Sequence, residues 1–258
     1  MSQPMSRRRA IGTFGMLGLA GVALTPAALR AWCARCLRDD SALSLSEPMR
    51  IGVIGSGSLG GTVGRILVGA GHEVMFSSRH PEELVEMARR FGSRASTGTP
   101  REAAEFADVI LVAVPYEALP QLGRDLRTAW RGKVVLDACN ASATADDEAS
   151  RAARKDGVAA TSARLLTGTR LVRAFSCVDA TAIASSAERT SDKLGVPIAG
   201  NDAAAMRIAE RLVRDAGCEP VVAGNLTAAK DFEHGTSAFR ANTTAPRVRV
   251  MLGLPASI

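Results

Sequence analysis

Aromatic residues are scarce. Two Trp, one Tyr and seven Phe make up 4% of a 258-residue chain. None of them is interleaved with a basic patch, so base stacking on a cationic surface has no support and nucleic acid is not an expected partner. The net charge of +6 does not change this, because residues 1–48 hold six Arg against three acids and so carry half of the excess. Histidine is scarcer still. His72, His80 and His234 are scattered, and no Ser–His–Asp set accompanies them. The five cysteines are an odd number, and Cys33–Cys36 is the one CxxC pair, so a four-ligand zinc site is not expected. No catalytic residue and no metal ligand is nominated. The sequence also lacks an internal repeat.

What is present fits a globular α/β protein. Hydrophobic residues make up 47% and charged residues 22%, and the length suits one domain with a small appendage. The first 48 residues have a different character. Ser6-Arg7-Arg8-Arg9 precedes an apolar, Gly/Ala-rich segment from Ala10 to Leu29. This resembles a twin-arginine signal, which predicts engagement of that export machinery and a periplasmic or other extracytoplasmic location. Thr25-Pro26-Ala27 is the nearest small-x-small triplet for cleavage. An uncleaved membrane anchor, or a cytoplasmic protein starting at Met49, are the other readings.

From Met49 the pattern changes to MRIGVIGSGSLGG. Ile51, Val53 and Ile54 read as a buried strand, Gly55-Ser56-Gly57-Ser58-Leu59-Gly60 as a turn, and Val63 to Val68 as the opening of a helix. A Gly-rich turn between strand and helix lets backbone N–H groups approach a pyrophosphate at the positive end of the helix dipole. The end of the next strand discriminates between nicotinamide cofactors. Asp or Glu there serves the ribose hydroxyls of NAD; this chain has Ser77-Ser78-Arg79-His80. Hydroxyls and a planar guanidinium suit a 2′-phosphate, so NADP is the expected cofactor. An ordinary surface arginine is the alternative, and Glu82 and Glu83 nearby would oppose a phosphate.

Strand patterns recur at Glu73–Ser77, Val109–Val114, Lys133–Asp137, Leu171–Phe175, Val196–Ala199 and Glu219–Val222. Helical patterns lie between them at Leu59–Ala70, Pro81–Phe91, Pro100–Phe106, Ala118–Trp130, Ala203–Ala216 and Leu226–His234. Short, fully apolar runs suit parallel strands covered on both faces. The alternation predicts a Rossmann-type doubly wound parallel sheet with a small C-terminal α/β extension. The expected division is a leader and linker at 1–48, a dinucleotide-binding domain at 49–178, and an extension completing the substrate cleft at 179–258. Ala141 to Ala163 and the tail from Arg240 have no clear periodicity.

A strand that stops at Val114-Pro115 turns where the cofactor would lie, because Pro cannot continue the ladder; a plain strand terminator is the alternative. Asp137 and Asn140 read as loop-capping groups, with substrate contact as the alternative. Cys139 and Cys177 read as small core residues, with a redox pair beside the nicotinamide as the other reading.

Taken together, MRIGVIGSGSLGG, Gly71-His72, Ser78-Arg79, AVPYEAL, KVVLDACN, LVRAFSCVDATAI and GVPIAGNDAAAMRIAERLV resemble the NADPH-dependent reductases of the deazaflavin coenzyme F420 and their relatives, over most of residues 49–235. The resemblance implies that Ser56, Gly57, Ser58 and Leu59 hold the pyrophosphate. It implies that Ser78 and Arg79 hold the 2′-phosphate, and that Val114 and Ala174 line the nicotinamide pocket beside Pro115. It further implies a small-molecule redox acceptor, with F420 as the co-substrate to test first. The chain departs from the family at Glu83, Ser176 and Cys139. A non-catalytic dinucleotide-binding module is the rival reading. So is an imine or keto-acid reductase, although only residues 176–258 remain for the long helical domain such enzymes add. A homodimer stays open.

Overall fold

The protein was analysed as a computed structural model that describes residues 47–255. The paired arginines, the apolar segment after them and the Cys33–Cys36 pair lie outside the described residues. Among the described residues no helix is long and apolar enough to cross a membrane.

The chain alternates strand and helix. β1 (Arg50–Ile54) leads to α1 (Ser58–Gly69) and β2 (Glu73–Ser77). A 3-10 turn and α2 (Val85–Phe91) lead to β3 (Ala95–Gly98), and α3 (Pro100–Phe106) leads to β4 (Val109–Val112). Next come α4 (Leu119–Asp125), β5 (Val134–Asp137), α5 (Glu148–Asp156), α6 (Val158–Leu165) and β6 (Arg170–Arg173). The remainder is α7 (Ala180–Ala187), β7 (Gly195–Gly200), α8 (Ala203–Asp215), β8 (Glu219–Gly224), a 3-10 segment (Leu226–Phe232) and α9 (Ala245–Met251).

All eight strands join one sheet in the order β3-β2-β1-β4-β5-β6-β7-β8. The first six follow the 3-2-1-4-5-6 order of the Rossmann fold, whose direction of winding reverses between β1 and β4. Every neighbouring pair is parallel except β6 and β7, which are antiparallel. The extension therefore adds β7 and β8 to the same sheet, running opposite to the rest. This is the doubly wound, mostly parallel α/β sheet expected from the sequence, with one reversal of direction at the β6–β7 junction.

The central strands owe their place to their composition. Val109, Ile110, Leu111 and Val112 are all buried, as are Val134, Val135 and Leu136. Each such side chain contributes about 1.5–3 kcal/mol on burial. On α1, Val63 and Leu67 share one face with Gly64 and sit fully buried. A Cβ at Gly64 would stand 2.4 Å from the ring of Phe76, so the glycine lets the helix lie close on the sheet. The start of β1 is fixed by His72. Its Nδ1 accepts from the Met49 N–H at 3.0 Å, so Nε2 carries the proton and donates to Asp215 at 3.0 Å.

Candidate functional site

Parallel register places the site in a line. Ser77 pairs with Ile54, Ile54 with Val112, Val112 with Asp137, and Asp137 with Arg173. These five residues end β2, β1, β4, β5 and β6. The segments that follow them, 78–80, 55–60, 113–116, 138–141 and 174–178, therefore leave the sheet along one edge. With strands about 4.8 Å apart, this row spans about 19 Å. Open α/β sheets bind their ligands at this carboxyl edge, beside the reversal of winding.

The three glycines of the turn have different jobs. Gly55 has φ +96°, and a Cβ there would stand 2.3 Å from the Ala113 carbonyl oxygen and 2.7 Å from Val114 Cγ1. A Cβ at Gly60 would stand 2.1 Å from the Gly55 carbonyl oxygen. Both make room for the protein's own backbone. Gly57 is exposed and a Cβ there would meet no atom within 4 Å. It is the N-cap of α1, which has no side-chain cap and no acidic residue in its first turn. The first N–H groups of a helix lack intrahelical partners. Here they face open space with a positive helix end behind them, which fits a pyrophosphate. Ser58 is exposed beside Gly57, and Leu59 is half-buried.

Two hydroxyls tie this turn to the end of β2. Ser56 Oγ donates to the Ser77 carbonyl at 3.1 Å, and the buried Ser77 Oγ donates to the Val53 carbonyl at 2.8 Å. Ser77 is thus a strap between strands. Ser78 Oγ accepts from the His80 N–H at 2.9 Å and closes a tight turn. Its own proton is left to donate elsewhere. Arg79 is exposed and has no hydrogen-bond or ion-pair partner among the described residues. His80 instead faces Glu82, at 3.4 Å.

On the other side of the turn, β4 ends at Val112, two residues before the expected limit. The Ala113 N–H still bonds the Ile54 carbonyl at 2.9 Å, after which the chain leaves the sheet towards Pro115. Val114 is half-buried against Gly55, and Pro115 is exposed. Ala174 has no exposed surface, and its N–H bonds the Asp137 carbonyl at 3.2 Å. The next residue, Phe175, is buried in the left-handed region at φ 59°, an uncommon and strained conformation for a bulky side chain.

Sequence reasoning missed two side chains at this edge. Tyr116 is buried, and its hydroxyl donates to the Val158 carbonyl at 3.1 Å, with Ser162 Oγ at 3.3 Å. Burial pushes its phenol up to about 12, so it is a neutral donor at physiological pH. Arg173 and Asp137 form an ion pair at 2.8 Å with both side chains fully buried. Burial acts to lower the Arg173 pKa, but the charge and hydrogen bond of Asp137 outweigh it, so the net shift is upward. Asp137 Oδ1 also accepts from the Cys139 N–H at 2.9 Å, a loop-capping bond of the kind expected from the sequence. The available signal for the pair was an Arg inside the apolar run Leu171–Phe175.

Cys139 and Cys177 are buried free thiols. Burial raises the Cys139 pKa well above its usual value and pushes Cys177 up to about 12. Neither is an activated thiolate. Among the described residues no three His, Cys, Asp or Glu side chains converge to hold a metal ion.

Residues 50–141, which carry the Gly-rich turn and the ends of β1, β2, β4 and β5, match the family described as NADP oxidoreductase, coenzyme F420-dependent. The metalloreductase STEAP3 of Rattus norvegicus is 28% identical over 190 residues. The match covers 72% of this chain, which spans only about a third of that relative, 36% of its length. Among solved structures, a hypothetical protein of Sinorhizobium meliloti is 25% identical with a TM-score of 0.64, covering 77% of this chain and 95% of that one. A protein named as a candidate F420-dependent NADP reductase from Arthrobacter sp. shares the fold. It is 20% identical with a TM-score of 0.60, over 80% of this chain and 96% of its own.

Proposed function

We propose that the protein is an NADP-dependent oxidoreductase that passes a hydride between NADPH and a flat redox acceptor of the deazaflavin or flavin type. The observation that carries this reading is the open space at Gly57. Nothing of the protein lies within 4 Å of where a Cβ at Gly57 would stand, at the N-terminus of α1, which has no side-chain cap. The Ser56–Ser77 hydrogen bond holds that turn against the segment bearing the unpartnered Arg79. The match of residues 50–141 to a family of NADP oxidoreductases supports it.

The residues present fit the cofactor. Gly57, Ser58 and Leu59 would supply backbone N–H groups to the pyrophosphate, and Ser78 and Arg79 would serve the 2′-phosphate. Val114 and Pro115 stand where the nicotinamide end would lie. The bound cofactor supplies the hydride. The protein's own contribution is orientation and exclusion of water, because hydride exchange between two planar rings needs little acid–base chemistry from side chains.

The test is a transfer assay with the full chain. NADPH and an oxidised deazaflavin are mixed, and the reduced-nicotinamide and deazaflavin absorbance bands are followed together. The reading predicts that both bands fall in equal amounts. NADPH binding without transfer to any deazaflavin or flavin would identify a dinucleotide-binding module instead.

A further inference from the structure

Arg173 donates three hydrogen bonds at the carboxyl edge. Its Nη1 donates to Asp137 Oδ2 at 2.8 Å and to the Cys139 carbonyl at 2.6 Å. Its Nη2 donates to Asn140 Oδ1 at 3.1 Å. Asn140 Nδ2 in turn donates to the Ser176 carbonyl. One guanidinium thus clamps the segment after β5, and the clamped Asn140 reaches the segment after β6. The same segment is fixed on its other side. The Ala138 N–H bonds the Val112 carbonyl at 2.9 Å, and Cys139 Sγ lies 3.5 Å from that oxygen. Val112 leads into Ala113 and Val114, against which Gly55 packs.

A continuous chain of contacts therefore runs from the pyrophosphate turn to the β6 end. Its arrangement is costly. Two ions are buried together, and Arg173 Nε and Ser176 Oγ are buried without hydrogen-bond partners among the described residues. Phe175 lies between Arg173 and Ser176 with its strained backbone. A buried ion pair is weak evidence for stability, since apolar replacements of similar volume often do as well. Strain and unmet polar groups gather where a surrounding structure enforces a functional geometry.

We propose that Arg173 is a positioning residue that holds segments 138–140 and 174–176 in register as the acceptor-side wall of the cleft. Resting on the proposed oxidoreductase reading, this gives the cleft a wall that is linked to the dinucleotide turn only through Val112–Val114. Arg173 acts through Asn140 and Cys139 and meets no ligand itself, because it has no exposed surface.

The experiment uses the full chain in three forms: wild type, Arg173→Lys and the double variant Asp137→Asn/Arg173→Met. The double variant removes both charges, so no buried ion is left unpaired. Backbone hydrogen exchange is read by mass spectrometry alongside NADPH affinity and the single-turnover rate at saturating NADPH. In the double variant, exchange in 138–142 and 174–178 should rise together by about tenfold or more, while 55–60 stays as in the wild type. NADPH affinity should stay within about threefold, and transfer should slow by about 10- to 100-fold, the scale of an ångström-level misplacement. Arg173→Lys keeps the charge but not the fork, and should recover part of the rate. Unchanged exchange in either segment would overturn the proposal, as would NADPH affinity falling in step with the transfer rate. A wild type that transfers no hydride would instead overturn the oxidoreductase reading, and the exchange result would still decide the positioning role.

Discussion

Glycines of the same motif carry separate consequences. A Cβ at Gly57 would have no protein atom within 4 Å, and Gly57 already has φ −72°, so Gly57→Val is sterically undemanding at its first side-chain atom. Its cost to stability should be no more than about 1 kcal/mol, the scale of an N-cap change. NADPH binding should nevertheless be abolished, because the new side chain fills the space over the helix end. Gly55→Val is the opposite case. Its φ of +96° and the 2.3 Å approach of the Ala113 carbonyl make it a folding defect. Thermal unfolding and NADPH titration of both variants separate the two roles. A Gly57→Val protein that binds NADPH like the wild type would show that the space has another use. The cysteines offer a second check at this scale. Burial pushes Cys218 up to about 11 and Cys177 up to about 12. Peptide-level mass spectrometry after brief alkylation of the native protein should find Cys139, Cys177 and Cys218 unmodified at neutral pH. Rapid labelling of Cys139 or Cys177 would revive the redox-pair reading.

At the scale of elements, α8 is set by its first turn. Asp202 caps it, accepting from the N–H groups of Ala204 and Ala205 at 2.9 Å each. It also receives both arms of Arg170. The hydrogen bond from Arg170, with that from the Ala205 N–H, holds its carboxyl down at about 2. Asp202 is partly exposed, so the ion pair itself is screened. Asp202→Ala should cost about 1 kcal/mol at neutral pH through loss of the cap. The folded pKa lies below the unfolded one of about 3.9. The contribution is therefore complete above that value and fades as pH falls towards 2. Urea titrations of wild type and variant should show a gap at pH 7 that narrows at pH 2.5; a constant gap would contradict the assignment.

Elements also show where the sequence was legible. Strands of contiguous β-branched and leucine residues, such as Val109–Val112, stood out because both of their faces are covered. β3 did not, since Ala95–Gly98 carries no large apolar side chain and its inner neighbours do the packing. α5 and α6 were hidden for a related reason: apart from Val158 they bury Ala149, Ser150, Ala153, Ala159, Thr161 and Ser162, small or polar residues that give no apolar stripe. At the candidate site, the Gly-rich stretch was readable as a strand-to-helix turn because its signal is local, and it does join β1 to α1. Arg173 and Asp137 were not readable as a pair, because their meeting depends on the register of β5 with β6.

For the whole molecule, a single sheet edge does the organising. Turn, β2 end, β4 end and the Arg173 clamp emerge side by side because five parallel strands end in register. β7 and β8, which run opposite to these five strands, extend the sheet without adding a carboxyl end to the edge. On the proposed reading this edge takes NADPH in preference to NADH, with Arg79 reading the 2′-phosphate. The most direct measurement is calorimetric titration of both cofactors into wild type and Arg79→Ala. Wild type should bind NADPH more tightly than NADH, and the variant should lose about 1.5–3 kcal/mol for NADPH, the worth of a charge-assisted hydrogen bond, with little change for NADH. Equal wild-type affinities, or equal losses for the two cofactors, would contradict it.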